Sequence, residues 1–85
     1  MDRQGFPDGA IVLEGDEFDA AILGVTENGD GEEVLVYGYE KLVEVVYDPQ
    51  TTTYEEAVEF IDFNTIRAIA YMGNRKPIVV YAIGE

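Results

Sequence analysis

Chemistry in this chain has to be done with a short list of groups. The 85 residues include no His, Cys, Ser or Trp. A Ser–His or Cys–His nucleophile pair cannot be assembled within the chain, and neither can a zinc site of His and Cys ligands. Carboxylates, Tyr, Thr, Lys and Arg remain, which leaves carboxylate-bound divalent cations and acid–base work by paired carboxylates. Two acidic clusters have the spacing for it. Glu14, Asp16, Glu17 and Asp19 fall close together, and Glu27, Asp30, Glu32 and Glu33 surround Asn28-Gly29. A hard cation such as Ca²⁺ or Mg²⁺ takes several carboxylate oxygens from a flexible turn, which singles out Asp30, Glu32 and Glu33 as metal candidates. Against them, the turn has neither the length nor the ligand spacing of an EF-hand loop, and solvated acidic turns are far commoner than metal sites. Gly29 and Gly31 do not make a phosphate loop, because no Lys-Ser/Thr follows and the neighbours are acidic. No catalytic residue, resident metal or cofactor is expected.

A second polar group is embedded in apolar sequence. Asp62, Asn64, Thr65 and Arg67 lie in residues 53–68, TYEEAVEFIDFNTIRA, the longest helix-compatible stretch. A partly buried Arg needs a carboxylate or carbonyl partner. The four residues are therefore expected to form a structural polar network, with Asp62 or a helix-end carbonyl satisfying Arg67. The stretch has its own start signal. Thr53 can cap the helix with its hydroxyl while Glu56 reaches back to the Thr53 N–H, a capping box. Glu55 and Glu56 then sit in the first turn, where the helix dipole favours negative charge. Tyr54, Ala57, Val58, Ile61, Thr65 and Ala68 recur at three- and four-residue steps and form one face. Phe60, Phe63 and Ile66 fall off that face. Either the helix bends near Asn64-Thr65 or a second apolar surface exists, buried on another side or offered to a partner. Phe60, Phe63 and Ile66 are accordingly the interaction candidates.

The elements around this helix are read from turn and periodicity signals. Residues 1–8, with Gly5 and Pro7, read as a mobile lead-in. Residues 10–13 predict a short strand and 14–17 a turn. Residues 18–26, apolar on both faces between Ala20 and Val25, predict a central strand, with a bulge or close approach at Gly24. Asn28-Gly29 is a hairpin signal, and 32–37 return as the partner strand. Tyr39, Leu42, Val43 and Val46 have helical spacing and predict a helix over 39–47, although the β-branched residues leave a strand open. Asp48-Pro49 ends it. Residues 70–76 form a loop holding Gly73-Asn74 and Arg75-Lys76, and 77–83 predict a final strand with Pro77 at its first position. The order β-β-β-α-α-β predicts one α+β domain. Its sheet is expected to be mostly antiparallel, with about four strands and both helices on one face.

Charge is the largest deviation from ordinary composition. Acidic residues number 18 against 5 basic ones, for a net charge of −13. Residues 1–50 carry 13 acids and 2 bases, so most of the excess lies there. Self-repulsion on this scale destabilises a compact state when salt is low. Three readings compete: adaptation to a salty cytoplasm, which the scarcity of lysine suits; mimicry of nucleic-acid phosphate; and a surface simply kept soluble. Direct nucleic-acid binding is not expected, because phosphate contacts need clustered Lys and Arg. A hydrophobic content of 47% is enough to fold. No apolar run is long enough to span a bilayer, and residues 1–10 have no signal-peptide core. No membrane association is expected, and the chain is expected to remain in the compartment where it is made.

The stretch TYEEAVEFIDFNTIRA, followed by YMGNRKPIVVYAI and preceded by AILGVTENG and VYGYEKLVEVV, resembles a family of small uncharacterised proteins of tailed phages and prophages. The similarity covers roughly residues 18–83, and Ile61 to Ala68 is its most specific part. Where this chain has Ala70, the family pattern has Pro nearby, and the strong acidity is a departure. The resemblance implies a viral or prophage origin and a host-cell cytoplasmic location, with virion association possible; it implies no activity. The expected function is non-enzymatic, through binding another protein or self-association, in a chain acidic by adaptation to high salt. The alternatives are an acidic nucleic-acid mimic that blocks a host defence protein, and a carboxylate–metal enzyme.

Overall fold

The computed structural model describes residues 5–83. Three strands form one sheet in the order β1-β2-β3: β1 is Ile22–Glu27, β2 Glu33–Gly38 and β3 Ile78–Val80. β1 and β2 are antiparallel, with Ile22 opposite Tyr37 and Glu27 opposite Glu33, while β3 runs parallel to β2. Helix α1 is Tyr39–Val46. A continuous helical rod then covers 54–69 in three parts: α2, Tyr54–Phe60; a π-helical segment, Ile61–Ile66; and α3, Arg67–Ile69. Leu35 and Tyr37 on one face of β2 share a buried cluster with Leu42 and Val43 of α1 and Ala57, Ile61 and Ile69 of the rod. The protein is α+β, with both helices packed on that face.

Local signals placed several elements. Thr53 Oγ1 accepts the Glu56 N–H at 3.1 Å and Glu56 Oε1 accepts the Thr53 N–H at 2.9 Å, so the capping box is made in full. Asn28 organises the hairpin turn. Its Oδ1 accepts the N–H groups of Asp30 and Glu32 at 2.9 and 3.0 Å, while its Nδ2 donates to Asn74 O. Gly31 takes the positive φ, 80°, that closes the loop. After α1, Asp48 O accepts the N–H groups of Thr51 and Thr52, which turns the chain toward the rod.

Other expectations are corrected. Residues 10–13 are not a strand. Their donors are satisfied one at a time, Ala10 by Pro7 O, Ile11 by Arg75 O and Leu13 by the Tyr37 hydroxyl, so no ladder forms. Residues 18–26 are not one central strand. Asp16–Ala21 is a 3-10 helix, in which residues three apart eclipse, and this brings Phe18 and Ala21 together onto the core. The strand that follows is an edge, and the centre of the sheet is β2. Among the described residues the sheet has three strands, and the last covers only Ile78–Val80 of the expected 77–83. Of the lead-in expected over 1–8, residues 1–4 lie outside the described part, and Phe6 packs against the core.

Candidate functional site

The rod explains why one helical face did not account for its apolar residues. Ala57, Ile61, Thr65 and Ile69 are the buried positions, four residues apart throughout. In an α-helix a four-residue step overshoots a full turn by roughly 40°, so such a row would spiral off the core. A π turn is wider, about 4.4 residues, and the same step then falls short by roughly 30°. Placing π geometry at Ile61–Ile66 cancels the drift and keeps the row facing inward. Tyr54 and Ala68, expected on the buried face, are exposed, and Ile69 takes the last inward place.

The same geometry sets out the interaction candidates. Phe60 is 48% exposed and Phe63 63% exposed, whereas Ile66 is half-buried and packs against the core. Phe60 borders a groove of about 510 Å³ between the rod and the irregular segment before the 3-10 helix. Val12, Leu13, Phe18, Ala68 and Met72 supply most of its apolar wall, with Asn64 and Thr65 as polar points.

The four polar residues of the rod are held separately. Asp62 Oδ1 accepts the Tyr39 hydroxyl at 2.7 Å, tying the π segment to the start of α1. Burial, reinforced by the hydrogen bond to Asp62 and its negative charge, holds the Tyr39 phenol well above its ordinary range. The Tyr39 ring also lies 4.5 Å from that of Tyr81. Asn64 Nδ2 donates to Phe60 O at 3.1 Å, at the entry to the π segment. Thr65 is buried in the inward row. Arg67 is exposed, with its guanidinium carbon 5.9 Å from the Phe63 ring centre, a cation–π contact along one side of the rod.

The arginine that ties distant segments together is Arg75. Its Nη2 donates to Glu33 O at 2.7 Å, its carbonyl accepts the Ile11 N–H, and its side chain packs over Gly9. A Cβ on Gly9, whose φ is +84°, would lie 2.6 Å from Arg75 Nη1. In the sequence the neighbours of Arg75 carry no periodic signal, and the adjacent Gly73-Asn74 indicates a turn and nothing more.

Among the described residues, no three acidic side chains converge closely enough to hold a metal ion. Asp30 and Glu32 are exposed or half-exposed in the turn, and Glu33 faces Glu27 across the ladder. In the other cluster Glu14 and Glu17 are exposed while Asp19 is buried. Among the described residues, no helix is long and apolar enough to cross a membrane. Comparisons with protein-family models, with curated proteins and with solved structures find no match for this chain.

Proposed function

We propose that this is a non-enzymatic protein that works by binding another protein, with Phe60 and Phe63 as anchors of the contact. The carrying observation is the exposure of both rings, 48% and 63%, with Phe60 bordering an apolar groove. Aromatic anchors beside a pocket are the usual energetic centre of protein interfaces, and clustered exposed apolar surface marks contact sites. In the same proposal the protein is of viral or prophage origin, acts in the host cytoplasm or on the virion, and is acidic through adaptation to high salt. The facing pair Glu27 and Glu33 supports the salt reading, since like charges opposite one another cost least when screened.

Affinity capture from host lysate tests the contact. A protein retained by the native chain should be lost with Phe60→Glu/Phe63→Glu, provided circular dichroism and melting match the native protein. Glu14→Gln/Asp16→Asn/Glu17→Gln should leave that capture intact. Loss in this second variant alone would overturn the apolar contact in favour of phosphate mimicry. A melting point raised by Ca²⁺ or Mg²⁺, and not by equal ionic strength of KCl, would instead favour a carboxylate–metal centre.

A further inference from the structure

Four tyrosines run in a row along the seam between α1 and the rod. At one end the Tyr39 and Tyr81 rings lie 4.5 Å apart, tilted by 30°. At the other the Tyr47 and Tyr54 rings meet edge to face, 5.8 Å apart at 75°. The two pairs are near one another, since the phenols of Tyr81 and Tyr54 both add to the rise in the Tyr39 pKa. Tyr39 covers one face of the Tyr81 ring, yet Tyr81 is 58% exposed, so its other face is open. Tyr54 is 52% exposed. The Glu40 carboxylate accepts the Ala82 N–H at 3.3 Å and fixes the chain next to Tyr81.

The surroundings of the row are acidic. Tyr39, Tyr47 and Tyr54 are each followed by an exposed acid, Glu40, Asp48 and Glu55. Asp62 Oδ1 accepts the Tyr39 hydroxyl, and among the described residues its Oδ2 has neither a hydrogen-bond donor nor a basic side chain against it. Lys41 is the one base adjoining these residues in sequence, so negative charge is in excess. Open aromatic faces attract cations through the ring quadrupole. A guanidinium also stacks flat on a ring and forks onto a carboxylate, which a lysine ammonium does not.

We propose that this row receives an arginine-rich segment of a partner protein, with guanidinium groups on the open faces of Tyr54 and Tyr81 and one of them on Asp62 Oδ2. A chain of net charge −13 favours a basic segment here over a second copy of itself. The row shares no residue with the Phe60 and Phe63 contact, and the inference stands or falls without it.

Calorimetric titration with a hexa-arginine and a hexa-lysine peptide in moderate KCl tests it. A contact made by net charge alone takes both peptides equally, whereas the row should take hexa-arginine about fivefold or more tighter. Tyr54→Leu and Tyr81→Leu leave the charge unchanged and should each weaken hexa-arginine binding about two- to fivefold. Asp62→Asn keeps an acceptor for the Tyr39 hydroxyl and should weaken it more than Asp30→Asn, which removes the same charge from the hairpin turn. Phe63→Leu should change nothing, which keeps this test separate from that of the Phe60 and Phe63 contact. In the native chain the NMR ring signals of Tyr54 and Tyr81 should move as hexa-arginine is added. Equal affinity for the two peptides overturns the proposal. So do ring signals that stay still, or tyrosine variants that fold and bind as the native chain does.

Discussion

Glu27 and Glu33 stand directly opposite one another in the β1–β2 ladder, on the same face of the sheet. Their carboxylates are solvent-exposed, so a water-like dielectric applies. At a separation of about 6 Å, two like charges then repel by about 0.7 kcal/mol. Glu27→Lys turns that repulsion into attraction, a local gain of about 1.4 kcal/mol with no salt. With a Debye length of about 10 Å in moderate salt the gain falls to roughly 0.8 kcal/mol, and with one of about 3 Å in molar salt to roughly 0.2 kcal/mol. The variant also lowers the general self-repulsion of the chain, and a second background separates the two effects. In Glu33→Gln the pairwise part is absent, so Glu27→Lys should gain only the general part. Urea unfolding of the four proteins in low and molar KCl measures the difference. An equal gain in both backgrounds, or one that persists undiminished in molar KCl, would refute the pairing argument.

The remaining expectations concern the whole fold and its tie points. The melting temperature of the native chain should rise from low to molar KCl, because screening relieves a net charge of −13; a flat or falling profile would count against salt adaptation. Ile61→Ala removes a side chain with no solvent exposure from the inward row of the rod and should cost about 2–5 kcal/mol in denaturant unfolding. Arg75→Ala should cost about 1–2 kcal/mol through its bond to Glu33 O, and Arg67→Ala under about 1 kcal/mol, since only an exposed cation–π contact is lost; the reverse ranking would contradict the geometry. Tyr39 is held above the value of 10.0 it has when unfolded. Its contribution is therefore full below that pH and is lost as pH rises beyond it, because the unfolded chain ionises first. Tyr39→Phe should flatten the alkaline fall in stability.

What was legible in the sequence is what depends on a few neighbouring residues. Thr53 and Glu56 close their capping box within one turn, so their identities and spacing suffice. The spacing of Tyr39, Leu42 and Val43 likewise marks α1 without reference to the rest of the chain, and Asn28 and Gly31 carry the hairpin turn in their own side chain and backbone. The exclusion of His, Cys and Ser chemistry within the chain is a matter of composition alone. Tertiary structure decided the rest. Phe18 and Ala21 fit a strand or a 3-10 helix equally well by type, and packing onto the core chose the helix. The apolar run 18–26 looks like a sheet centre, but among the described strands only one has neighbours on both sides, and β2 takes that place. The π segment is invisible to a 3.6-residue template, because its benefit is the alignment of Ala57, Ile61, Thr65 and Ile69 against a core assembled from elsewhere. Arg75 acquires its role only when Gly9, Ile11 and Glu33 are brought together across the fold, a meeting that no spacing in the chain encodes.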